Sequence, residues 1–111
     1  MCRALTVLCA APDRTRLGEL KRAAVAQEWE LTGGATSVEE LGSQVADLGP
    51  DVVVIDAALG AQAVAACRGA KSATRIVSVG ALPEADEEAA SLDEVRAAIL
   101  GLPRPGGPVR G

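Results

Sequence analysis

Asp51-Val-Val-Val-Ile-Asp56 is the stretch that most restricts how this chain can fold. Four consecutive β-branched apolar residues leave no polar face for water. The run therefore reads as a strand buried on both sides, the condition of a central strand in a parallel sheet. Gly49-Pro50 stops the preceding element. The strand ends in a carboxylate, Asp56, at the edge where open α/β sheets place their sites.

The rest of the chain alternates around it. Ala4-Leu5-Thr6-Val7-Leu8-Cys9 reads as a first strand, and Asp13 after Pro12 as the N-cap of a helix from Arg14 to about Glu28. Glu30 to Ala35 is a weak strand interrupted by the turn Gly33-Gly34. Ser37 and Glu40 fit a capping box for a helix with Val38, Leu41, Val45 and Leu48 on one face. A short alanine-rich helix is expected over Ala61 to Arg68, with Cys67 inward, and a strand over Arg75 to Gly80. Ser91 and Glu94 form a second capping box, opening a helix with Leu92, Val95, Ile99 and Leu102 inward. Strands alternating with amphipathic helices predict one α/β domain, an open parallel sheet with helices on both faces, over residues 1–102. Residues 103–111, rich in proline and glycine, read as a flexible tail or linker. Between Gly80 and Ser91 there is too little chain for both a helix and an ordinary strand. The sheet has either four strands or a very short fifth one near Ala89-Ala90.

Composition removes several classes of function. With 111 residues the chain makes one core. Its sole aromatic residue is Trp29, which rules out a stacking platform for single-stranded nucleic acid. A net charge of −4 argues against DNA and anionic membranes as partners. Without histidine there is no Ser-His-Asp or Cys-His catalysis and no common zinc ligand. No apolar run is long enough for a membrane span. Asp13-Arg14 interrupts the N-terminal apolar run that would otherwise suggest a signal peptide. Cys2, Cys9 and Cys67 lack metal spacing and read as reduced thiols of a cytoplasmic protein, with Cys2 at an exposed terminus. No metal or cofactor site is expected.

In this arrangement residues 3–102 resemble the receiver domain of bacterial response regulators. The likeness rests on Val7-Leu8-Cys9-Ala10-Ala11-Pro12, on Gly49-Pro50-Asp51-Val52-Val53-Val54-Ile55-Asp56, on Ala73-Thr74-Arg75-Ile76-Val77-Ser78-Val79, and on the last helix, Ser91 to Leu102. It implies a flavodoxin-like fold shortened at the fourth helix and fifth strand, with Asp56 as the phospho-acceptor candidate. The resemblance also marks what is missing. Where the family holds Mg²⁺ with two acidic residues, this chain has Cys9 and Ala10, and neither a thiol nor a methyl group replaces carboxylates for a hard cation. Where the family has a hydroxyl after the fourth strand, this chain has Gly80, with Ser78 two residues earlier as a stand-in. No lysine follows that strand, since Lys21 and Lys71 are the only two.

These departures make the pocket degenerate at Cys9, Ala10 and Gly80. They point to a pseudo-receiver, not an enzyme, that works without phosphorylation by binding a protein partner or a second copy of itself. Family receivers pair through the last helix, which implies Leu92, Val95, Ile99 and Leu102 as interface candidates. The competing class is a phosphoryl carrier, either through Asp56 or through Cys9. Leu8-Cys9-Ala10-Ala11-Pro12-Asp13-Arg14-Thr15 also resembles the phosphocysteine loop of sugar-phosphotransferase IIB proteins, though Pro12 removes an amide donor there. Arg14, Arg16, Lys21 and Arg22 form a basic cluster on helix one. Glu84, Asp86, Glu87, Glu88, Asp93 and Glu94 make the C-terminal region acidic.

Overall fold

A computed structural model describes residues 5–27, 29–70, 74–82 and 84–101. Cys2, Lys71, Leu102 and the tail 103–111 lie outside the described residues. Five parallel strands form one sheet in the order β2-β1-β3-β4-β5. They are β1 (Leu5–Ala10), β2 (Trp29–Leu31), β3 (Val52–Asp56), β4 (Arg75–Val79) and β5 (Glu87–Ala89). The helices are α1 (Arg14–Ala24), α2 (Val38–Leu48), α3 (Ala61–Ala70) and α4 (Val95–Leu100).

The central position of β3 follows from its sequence. All five of its residues are buried, and its alternate side chains feed two separate cores. On one face Val52 and Val54 join Val7, Cys9, Val77 and Val79 beneath α1 and α4, through Leu20, Ala24, Val95 and Ile99. On the other, Val53 and Ile55 join Leu8, Ala10 and Ile76 beneath α2 and α3, through Leu41, Val45, Val64 and Cys67. A strand covered on both sides has no use for a polar residue until its end.

Helix α1 is shorter than expected. Asp13 caps it as predicted, accepting the Arg16 amide at 2.8 Å. It stops at Ala24, before the predicted Glu28, because Val25 is extended and the Trp29 indole N–H donates to the Ala24 carbonyl at 2.6 Å. The indole satisfies an end carbonyl that a continuing helix would have bonded internally. Strand β2 is likewise cut to three residues, and Ala35 returns to the sheet only as an isolated bridge to Ala10. Between them the chain turns at Gly33 (φ +63°). Gln44 from α2 clamps the next residue, accepting from the Gly34 amide and donating to its carbonyl.

Ser37 caps α2 through the Glu40 amide, but the Glu40 carboxylate accepts from Thr36 instead of closing the box on Ser37. The second box is also partial. Glu94 accepts from the Ala90 amide, and the Ser91 side chain makes no cap bond. The last helix accordingly begins as a 3₁₀ turn, Leu92–Glu94, and is α-helical only over Val95–Leu100.

Of the two readings of the segment after Gly80, the short fifth strand is the one that forms. Among the described residues no helix stands between β4 and β5. Leu82 instead tucks into the core under α2 and α3. Asp86 clips the segment to the sheet, its amide donating to the Ile76 carbonyl (2.9 Å) and its carboxylate accepting from the Ile76 amide (2.8 Å) and from Arg68 of α3 (3.3 Å). Glu87 and Glu88 are exposed on this edge strand, and adjacent carboxylates discourage a further strand from pairing there.

Candidate functional site

The order in which strands are added to the sheet reverses between β1 and β3: β2 lies outside β1 on one side, and β4 and β5 lie outside β3 on the other. The crevice beyond the carboxyl ends of these two central strands is where a doubly wound sheet gathers side chains from separate loops. Asp56 sits there as the last residue of β3, with Val79 of β4 as its register partner.

Both oxygens of its carboxylate are hydrogen-bonded. Oδ1 accepts from the Ala58 amide at 3.0 Å, capping the 3₁₀ turn Ala57–Leu59. Oδ2 accepts from Nε of Arg16 at 2.5 Å. Arg16 belongs to the first turn of α1, which passes over the edge of the sheet. Its Nη1 also reaches Glu19 at 3.3 Å. Hydrogen bonding to Asp56 first, and to Glu19 second, holds the guanidinium above its already high ordinary pKa. The side chain of Asp56 is only 10% exposed and that of Arg16 is 35% exposed, so the pair forms a lid that water still reaches from the arginine side. Arg16 was indistinguishable in sequence from Arg14 and Arg22, its neighbours in the basic cluster. The geometry singles it out as the cation of the site.

The other predicted positions fall around this pair unequally. Cys9 is the register partner of Val54 and so lies on the same sheet face as Asp56, but deeper, at 1% exposure. Burial pushes its thiol up to about 12, and the nearby Lys21 charge only partly opposes this. At neutral pH it is a neutral thiol, not the thiolate a phosphocysteine needs. Ala10 pairs with Ile55 and contributes to the opposite face. Ser78 also pairs with Ile55, from the other side of β3, so it cannot stand in for a hydroxyl beside Asp56. Its Oγ donates instead to the Gly80 carbonyl at 2.7 Å. That correction follows from strand alternation, which sets Ser78 and Asp56 on opposite faces. Gly80 lies one residue beyond the register partner of Asp56, at φ +97°. A Cβ built there would stand 3.0 Å from that of Ala57.

The donor set does not fit Mg²⁺. A hard divalent cation needs several oxygen ligands. The carboxylate of Asp56 is already bonded to a guanidinium and an amide, the β1 residue on its face is a buried thiol, and Ala10 offers no oxygen ligand from its side chain. Among the described residues no three His, Cys, Asp or Glu side chains converge.

The predicted interface residues need one correction. Val95 and Ile99, at 0% and 3% exposure, are part of the core beneath α4 and cannot present themselves to a partner. They are consumed because α4 must cover β4 and β5 within its six residues. Leu92 is half-buried, and the helix exposes Leu100 instead, at 62%.

No protein-family model matches the chain, and no curated protein is significantly similar to it in sequence. Solved structures are similar in shape. The response regulator domain of Thermotoga maritima CheB superposes with a TM-score of 0.68 at 19% identity, covering 91% of this chain and 100% of that one. The signal receiver domain of the putative response regulator NarL from Mycobacterium tuberculosis superposes with a TM-score of 0.71 at 19% identity, covering 89% of this chain and 95% of that one. The chain therefore has a receiver-like α/β fold. No helix among the described residues is long and apolar enough to cross a membrane.

Proposed function

We propose that this domain is a pseudo-receiver: a protein-interaction module of bacterial signalling or regulation that works in the cytoplasm without being phosphorylated. The observation that carries this reading is the Arg16–Asp56 pair. A carboxylate that accepts a phosphoryl group must present an oxygen to phosphorus while a cation offsets the incoming negative charge. Here one oxygen caps a turn and the other holds a fixed guanidinium. That guanidinium satisfies the aspartate within the protein itself. The residues that would recruit a metal are Cys9 and Ala10. What remains of the fold's chemistry is a rigid surface, and a rigid surface acts by binding.

The reading is tested by incubating the protein with a small phosphodonor and Mg²⁺ and weighing it intact. The expected spectrum is unchanged. A mass gain of one phosphoryl group that disappears in Asp56→Asn would restore a working receiver. A gain that disappears in Cys9→Ser would make the chain a phosphocysteine carrier. Either gain sinks the proposal.

A further inference from the structure

A groove of about 570 Å³ runs between α1 and α4, away from the Asp56 crevice. Trp29 and Ala97 contribute to its apolar lining, and Leu100 and Asp93 mark its two ends along the last helix. Both end residues are exposed, and Leu100 is the most exposed large apolar side chain among the described residues. Between them Arg96 reaches across to α1. Its Nε donates to the Ala23 carbonyl at 3.3 Å, which uses one of the five N–H donors of the guanidinium.

The chain itself supplies an occupant at the Leu100 end. The described residues stop at Gly101, and the sequence continues as Leu102-Pro103-Arg104-Pro105-Gly106-Gly107-Pro108-Val109-Arg110-Gly111. This segment holds two arginines and no acid, in a chain whose net charge is −4. We propose that residues 103–106 turn back and occupy the groove of their own domain, antiparallel to α4. The reach fits. Asp93 lies roughly 10 Å back along the helix axis from Leu100. An extended proline-rich segment advances roughly 3 Å per residue. Pro103 then covers Leu100, the Arg104 side chain reaches Asp93, and Gly106 comes level with the far end. Carbonyls in such a segment have no partner of their own, and the spare Arg96 donors suit them. The prolines restrict the segment before it docks, so little chain freedom is lost. A short tether also holds it near the groove at an effective concentration on the order of millimolar, so a weak contact is enough to populate the docked form.

The inference goes beyond the pseudo-receiver reading. It holds whether or not Asp56 takes a phosphoryl group, because the groove lies away from that crevice. It also means that another protein reaches the groove only by displacing the segment.

Backbone ¹⁵N relaxation of the full chain is the experiment, read at the Gly106 amide. The docked segment should approach the order parameter of a rigid backbone, about 0.85, where a released one falls below about 0.6. Asp93→Arg should shift the ratio of docked to released segment about fivefold toward release. The double swap, Asp93→Arg with Arg104→Asp, should recover it, which general destabilisation would not. Leu100→Glu gives an independent check on an exposed position and should release the segment while the amide signals of β3 stay in place. A wild-type Gly106 as mobile as in Leu100→Glu, or a double swap no better than Asp93→Arg, overturns the proposal. Order at Gly106 that is lost on dilution also overturns it, since the segment would then be docking on a second copy.

Discussion

Arg16 and Asp56, forty residues apart in the chain, meet at 2.5 Å where α1 crosses the carboxyl end of β3. The contact makes α1 part of the crevice and supplies its positive charge from within the fold. Charge-assisted bonds of this kind are among the stronger polar contacts, yet the arginine side chain is a third exposed and water screens it.

Removing this contact should therefore have a small effect on stability. Arg16→Ala is expected to cost about 1 kcal/mol. Urea titrations followed by Trp29 emission measure it. Combined with Asp56→Asn, the loss should be less than the sum of the two single losses, since both delete one contact. Added salt should shrink the effect of Arg16→Ala. A salt-independent loss of several kcal/mol would mean that Arg16 acts through packing instead.

Gly80 looks like a lost hydroxyl, but its backbone says otherwise. At φ +97°, with Ala57 Cβ 3.0 Å from where its own Cβ would lie, it is a position at which the turn out of β4 needs glycine. Gly80→Ser should cost about 2 kcal/mol through left-handed strain and crowding. It should also fail to confer phosphorylation, because the metal-binding carboxylates are still missing. Thermal unfolding together with intact mass after phosphodonor treatment checks both halves.

How far the sequence could be read varied with the kind of signal. Val52 to Ile55 announced a buried strand because four β-branched residues in a row allow little else, and the register confirms the carboxyl-edge position of Asp56. Asp13 and Ser37 announced caps because their bonds are local, three residues on. Arg16 could not be separated from its basic neighbours, since the bond that distinguishes it spans forty residues. Glu87-Glu88-Ala89 carries no apolar alternation. It is a strand through its pairing with β4, beside the Asp86 clip. Trp29 ended α1 early through a contact that no helix propensity encodes.

The Asp86 clip stands where a helix would otherwise bridge β4 and β5. Its carboxylate accepts the Ile76 amide at 2.8 Å, and that residue is buried. Asp86→Ala leaves the amide without this acceptor and removes one acceptor of Arg68, which keeps the carbonyls of Thr74 and Glu84, and should cost about 2 kcal/mol. Asp86→Asn keeps an acceptor oxygen for the amide and should lose clearly less. Hydrogen exchange at the Ile76 amide should accelerate in the alanine variant well before global unfolding. Unchanged exchange there would show that the clip does not hold β5.

The buried thiols predict how the fold responds to alkali. Burial raises Cys9 to about 12 and Cys67 to about 11, each from an ordinary value of 9.0. The folded state therefore holds these protons more tightly than the unfolded chain does. The sign follows directly: their contribution to stability is complete below pH 9.0 and is lost as pH rises, until about 11 for Cys67 and about 12 for Cys9. Across that window each thiol should lower unfolding free energy by roughly 1.4 kcal/mol per pH unit. Cys9→Ala and Cys67→Ala each leave a small cavity and should be somewhat less stable at neutral pH. Their stability should nonetheless fall less steeply above pH 9.0 than that of the wild type. Urea midpoints compared across the two pH regions, in a Cys2→Ser background, read the difference in slope. Parallel curves for wild type and variants would mean that both thiols reach solvent in the folded protein, contrary to their burial on either face of β3.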